Sequence, residues 1–168
     1  MKLKNGIFLF LVIIWTFVIF YASSRDSNDS NSKSKELIYS GIKVVGTITN
    51  KIKLTDIDLE DEKWLQKTTT ILNKPLRKCA HAAVYFILGI LLMILFYNLS
   101  YPLKKAFLVS ILICFTYSLT DEYHQTLVEG RTGQFSDCLI DTVGAMIGSS
   151  IFYTIQKKKE HKKWKKDS

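Results

Sequence analysis

Residues 106–131 read AFLVSILICFTYSLTDEYHQTLVEGR. The stretch Ala106 to Thr120 carries no charge and runs without a break into Asp121-Glu122-Tyr123-His124-Gln125, with Arg131 shortly after. A helix needs about twenty residues to cross roughly 30 Å of hydrocarbon. Started after Lys105, such a helix ends at Gln125, so Asp121, Glu122 and His124 lie at or inside its boundary and not in a loop beyond it. His124 by itself reads as an exposed loop histidine.

The rest of the chain repeats the theme. Asn5 to Ser24 is uncharged, Cys79 to Leu103 carries His81 as its one ionisable group of note, and Thr142 to Gln156 is again uncharged. These blocks predict spans near 6–24, 79–98, 106–125 and 137–156. The 168 residues, 48% hydrophobic, have room for one such unit. The fold expected is therefore all-α, a polytopic four-helix membrane bundle over residues 1–156 with a basic tail at 157–168. A secretory signal fits the first block less well, because the apolar run is long and no Ala-x-Ala precedes a cut.

Short cytoplasmic loops are enriched in Lys and Arg. Lys2 and Lys4, Lys104 and Lys105, and the seven lysines 157, 158, 159, 162, 163, 165 and 166 all fall on one side of a four-span arrangement. The reading that follows is a multi-pass plasma-membrane protein with both termini cytoplasmic. The segment 23–75 goes outside; its nine Lys or Arg are set against eight Asp or Glu. The net charge of +8 sits mainly in the tail next to a span, which fits attraction to anionic lipid better than nucleic-acid binding.

Within 23–75, Ser23 to Ser32 reads as a polar linker of turn-forming residues. Ile38, Ile42, Val45, Ile48 or Thr49, and Ile52 recur at helical spacing with lysines between, the pattern of an amphipathic helix on the outer leaflet or against the bundle. Leu65, Thr68, Leu72 and Leu76 continue a weaker stripe. Asn73-Lys74-Pro75 is expected to break it, with Pro75 opening the second span.

Positions three or four apart share a helix face. Arg77, His81 and Tyr85 form one stripe and Asp121 and Gln125 a second, while Asp137, Asp141, Gly144 and Gly148 form a third. The glycines let another helix approach closely, which turns the two aspartates toward the interior, where Arg77, Lys78 and Arg131 are the basic partners at hand. Two readings follow. The charges staple helices together, or Arg77, Lys78, His81, Asp121, Glu122, Gln125, Arg131, Asp137 and Asp141 line a site. Tyr85 reads as interfacial packing. Ser118 and Ser136 lack the framing of a nucleophile, the three cysteines read as small buried hydrophobes, and no spacing is a metal signature. No cofactor is implied.

Three motifs in this order, Arg77-Lys78-x-x-His81-x-x-x-Tyr85, Asp121-Glu122-x-x-Gln125 with Arg131, and Asp137-x-x-x-Asp141-Thr-x-Gly144-x-x-x-Gly148, resemble the VanZ-like membrane proteins over about residues 7–155. Ile19-Phe20-Tyr21-Ala22-Ser23-Ser24 is similar to the end of that family's first span. Asp141 stands where many relatives carry Asn, which suits a hydrogen-bonding role. The resemblance implies a Gram-positive cell-envelope protein, linked through the family's namesake to resistance to teicoplanin-type lipoglycopeptides, and implies no agreed reaction. The expected partners are membrane lipid and a lipid-linked wall precursor or the lipoglycopeptide itself, bound at an outward-facing charged pocket. The alternative is an intramembrane hydrolase or transferase using Glu122 or Asp121 with His81.

Overall fold

The structure, a computed structural model, describes the backbone of residues 3–24, 27–48, 59–128 and 133–167. The described residues form five helices and no strand: α1 Leu3–Ser23, α2 Ser27–Ile48, α3 Leu59–Asn98, α4 Leu103–Gln125 and α5 Phe135–Asp167. Among the described residues four stretches are long and apolar enough to cross a membrane, Leu3–Ser23, Gln66–Asn98, Leu103–Gln125 and Phe135–Lys165. The chain divides into two compact units, Met1–Ser24 with Ala80–Ser168, and Arg25–Cys79.

In the first unit apolar side chains face outward as well as inward, and polar ones lie among the buried. Phe10, Phe17, Leu108, Leu112, Val143, Ile147 and Ile151 point outward, while Ser110, Ser118, Asp121, Glu122, Asp141 and Ser149 are buried. A water-soluble domain of this size does not expose so continuous an apolar surface. In lipid the apolar residues need no cover, and the polar ones must find partners inside. The arrangement is that of a multi-pass membrane protein.

The helices lock together through small residues. Along α4 the buried positions Ala106, Ser110, Cys114 and Ser118 recur every fourth residue, a face over which a neighbour can come close. On α5 the counterpart is Gly144, Ala145, Gly148 and Ser149, all buried. A Cβ added at Gly144 would run into the Ala82 carbonyl and one at Gly148 into the Phe86 carbonyl. One at Gly89 would lie 2.6 Å from the Ala145 carbonyl oxygen. The backbones of α3 and α5 therefore touch.

Ring contacts give the direction of each helix. Tyr97 meets Phe152 and Phe107 meets Tyr153 at one end, while Phe20 meets His124 at the other. Thus α1 and α4 run one way, and α3 and α5 the other. The α1 helix is held by Trp15 Nε1 donating to the Val84 carbonyl at 2.9 Å and by Tyr117 Oη donating to the Thr16 carbonyl at 2.7 Å. Between α3 and α4 the chain reverses in four residues. Tyr101 N donates to Phe96 O and Ser100 N to Tyr97 O, both at 3.0 Å, with Ser100 at φ 66° and the Phe96 and Tyr101 rings 5.2 Å apart. This is a Schellman motif with its hydrophobic contact, and Pro102 stops the helix from continuing.

Several expectations are corrected. Residues 27–32 are not linker but the first turns of α2; Ser, Asn and Asp favour helix starts as well as turns. Pro75 lies inside α3, and no break occurs at Asn73. A proline removes one hydrogen bond and does not end a helix whose flanks are held. Among the described side chains of α3 in the second unit, Thr69 and Asn73 are buried, Thr68 is half-buried and Leu72 and Leu76 are exposed, which departs from the expected stripe; the Leu65 side chain lies outside the described residues. Ile38 of α2 is buried. The α5 helix runs on through the lysine-rich residues to Asp167.

Gly148→Leu, which must displace the Phe86 backbone, is expected to destabilise the bundle by about 1–3 kcal/mol. Gly41→Ala, with nothing within 4 Å, is expected to leave stability unchanged or raise it by up to about 1 kcal/mol. Melting in detergent followed by tryptophan fluorescence checks both. Equal melting temperatures for the two variants would contradict the close packing of α3 on α5.

Candidate functional site

The last turns of α4 carry Ser118, Asp121, Glu122 and Gln125 on one stripe, and all four are buried. They face the first turns of α5. Asp141, fully buried, joins three helices: its Oδ2 accepts from Ser118 Oγ of α4 at 2.7 Å, and its Oδ1 lies 3.9 Å from His81 Nδ1 of α3. His81 is 22% exposed, so it is the open side of this contact. Tyr85, one turn further along α3, is completely buried in the core cluster with Ile19, Leu88, Leu92, Cys114 and Ala145. The sequence suggests interfacial packing for Tyr85; instead the ring lies in the core, 6.2 Å from that of Tyr117.

Glu122 has another task. Its Oε1 accepts from Gln125 Nε2 at 3.4 Å and its Oε2 from the backbone N–H of Gln134 at 2.7 Å. Gly133 lies so close to the Glu122 carbonyl and the Thr126 methyl that a Cβ has no room there. Glu122 thus clamps the end of the α4–α5 connection to the last turn of α4.

Asp121 accepts from Gln125 Nε2 through Oδ2 at 3.2 Å, and its remaining polar neighbours are Ser23, His81 and His124. His124, expected in a loop, belongs to α4, half-buried with its ring 4.5 Å from that of Phe20. The helix carries it inward because the span ends at Gln125 and not before. Four oxygens in this cluster, Ser23 Oγ, Asp121 Oδ1, Asp141 Oδ1 and Tyr85 Oη, are buried and accept or donate no hydrogen bond among the described residues. Among the described residues no group of three or more His, Cys, Asp or Glu side chains is arranged to hold a metal ion.

Of the residues singled out in the sequence, the first unit brings together His81, Asp121, Glu122, Gln125 and Asp141, with Asp137 half-buried at the mouth beside Ser136. Gly144 and Gly148 lie where α5 meets α3. Arg77 and Lys78 belong to the second unit, and Arg131 lies outside the described residues. Sequence reasoning gives no site role to Ser118, Ser23 or His124. Ser118 is nonetheless legible as the last member of the every-fourth small-residue stripe 106, 110, 114, 118, which points it at the same neighbour as Asp121 and Glu122.

A family model described as VanZ/LLP1 matches residues 8–156. The chain belongs to the VanZ/LLP1 family. No curated protein and no solved structure matches it. The match takes in α1, the buried polar cluster and the glycine face of α5, and it stops where the lysine-rich end of that helix begins. The VanZ/LLP1 region therefore takes in both compact units.

Ser118→Ala leaves Asp141 Oδ2 buried without its donor, which costs about 1–3 kcal/mol. The double change Ser118→Ala with Asp141→Leu is expected to lose clearly less than the sum of the two single losses, since removing both partners spares the unsatisfied acceptor. Thermal unfolding of the four proteins in detergent measures this; additive losses would show that the two groups do not interact.

Proposed function

We propose that this VanZ/LLP1 protein is a non-enzymatic component of the bacterial cell envelope. In this reading it lies in the plasma membrane with both termini cytoplasmic. The polar end of its bundle faces outward and binds the head of an amphiphile, either a lipid-linked wall precursor or a teicoplanin-type lipoglycopeptide, and so lowers the drug's effect. The observation that carries the reading is the set of buried oxygens on Asp121, Asp141 and Tyr85 without hydrogen bonds. Unmade hydrogen bonds of buried groups cost free energy. Hydroxyl and amine donors of an entering ligand offset that cost. The first unit supplies acceptors; for an anionic part of the ligand the reading draws on the sequence, where Arg77, Lys78 and Arg131 are the cations next to the same ends of the spans.

A second reading, hydrolase or transferase, draws on the His81–Asp141 contact, which resembles an acid–base pair. It is weaker because Ser118, the hydroxyl nearest that pair, already donates to the carboxylate. A hydroxyl so engaged is not presented to a substrate as a nucleophile.

Orientation is tested by single cysteines in a background without the three native ones. A membrane-impermeant maleimide on intact cells is expected to label position 126 and to spare position 162. The reverse pattern would invert the topology and remove the outward-facing site.

Binding is tested with Tyr85→Phe and Asp121→Asn in a sensitive Gram-positive host in which the wild-type protein raises teicoplanin tolerance. Tyr85→Phe removes a hydroxyl without a partner, so stability should be unchanged or higher. Tolerance is nonetheless expected to fall by about fivefold, the counterpart of about 1 kcal/mol for one ligand hydrogen bond. Full protection by both variants at equal membrane abundance would refute the site.

A further inference from the structure

The opposite end of the bundle holds a feature that the outward-facing reading does not use. The first turns of α4 and the later turns of α5 enclose a groove of about 380 Å³ lined by Lys104, Phe107, Leu108, Ser150, Tyr153 and Thr154. That volume falls within the range of ligand pockets, roughly 300–1,000 Å³. Phe107 and Tyr153 form its base, their rings 6.0 Å apart and edge-on. The Thr154 hydroxyl donates to the Ser150 carbonyl at 2.8 Å and so presents no unmet donor to the groove.

The rim is cationic. Lys104 is itself a lining residue, and Lys157 Nζ stands 6.0 Å from the centroid of the Tyr153 ring. Lys105, Lys158 and Lys159 are adjacent in sequence, none of the lining residues is acidic, and the nearest carboxylate along α5 beyond the groove is Glu160. Next to the groove, sharing Ser150 and Thr154 with it, runs a second trough lined by Val143, Met146, Ile147, Ile151 and Ile155, which is wholly apolar apart from those two hydroxyls. An apolar channel that opens along a lipid-facing helix and ends at ammonium groups has the shape and charge of one kind of occupant.

We propose that this groove binds an anionic phospholipid, its acyl chain along Phe107, Leu108 and Tyr153 and its phosphate between Lys104 and Lys157. Charge complementarity selects the anionic head, and the apolar side chains Phe107, Leu108 and Tyr153 of the groove select the chain. The proposal is independent of the ligand at the other end of the bundle. It gives the lysine groups of α4 and α5 a shared partner and ties those helices together at the end away from the buried carboxylates.

The test uses the full chain in detergent micelles, titrated with phosphatidylglycerol or with phosphatidylcholine of the same acyl chains and read by native mass spectrometry. Wild type is expected to retain one phosphatidylglycerol and to retain phosphatidylcholine at least about tenfold less well. Lys104→Gln with Lys157→Gln should weaken retention by about tenfold or more, while Lys158→Gln with Lys159→Gln, which removes the same charge outside the rim, should leave it unchanged. Ser150→Phe fills the groove with every lysine in place and should abolish the one-lipid species. Helical content by circular dichroism verifies that each variant is folded. Equal retention of the two lipids, an equal loss from the 158/159 pair, or undiminished binding by Ser150→Phe would each overturn the proposal.

Discussion

The contact of α3 and α5 backbones at Gly89, Gly144, Ala145 and Gly148 is the constraint on which the rest of the bundle depends. No hydrophobic effect drives helices together in lipid, so association rests on close packing and hydrogen bonds. Small residues supply the first. Their positions also set the second, because Asp141 sits one turn before Gly144, and Ala145 beside it keeps the surface flat. Once Gly144 seats against Ala82, Asp141 is level with His81, and no rotation of either helix separates them without lifting the backbones apart.

From that contact the polar network extends to the other helices. Asp141 reaches α4 through Ser118, and the small-residue face of α4 allows it. Then α1 is added by two hydrogen bonds to carbonyls, from Trp15 and Tyr117. Each such bond across helices is worth about 0.6 kcal/mol on average in a membrane protein, so no single one holds α1. The apolar contacts of Val12, Trp15 and Ile19 with the core act with them.

The bundle is chemically polarised. One end gathers carboxylates and histidines inside the protein, where their geometry is fixed by three helices; the other ends in lysines at the surface of α4 and α5, able to snorkel toward lipid headgroups. Burial separates the two. A buried carboxylate is retained only if partners or ligands meet it, whereas an exposed lysine next to a span needs only an anionic leaflet. The family match covers the first end and the helices that build it and excludes the lysine-rich extension of α5, so the cluster lies within the VanZ/LLP1 region and the extension lies outside it.

Much of this is legible in residue order alone. Uncharged blocks of span length suffice for four membrane helices, because crossing hydrocarbon is a one-dimensional requirement. The Gly144/Gly148 spacing points to a close helix contact, and counting on from Lys105 puts Asp121 and Glu122 inside a span. Periodicity fails at residues 68–76, where Leu72 and Leu76 are exposed and Thr69 and Asn73 are buried. Local turn chemistry fails at Pro75 and at 27–32, since helix continuity there is decided by what holds the flanks. Which carboxylate does what is beyond the sequence altogether. Asp121, Glu122 and Asp141 are all carboxylates in the sequence, yet Glu122 holds the end of the α4–α5 connection, Asp141 meets Ser118 and His81 on two other helices, and Asp121 accepts from Gln125 on its own helix. Those roles depend on which groups on other helices come within hydrogen-bonding reach, a distance set by packing between segments far apart in the chain.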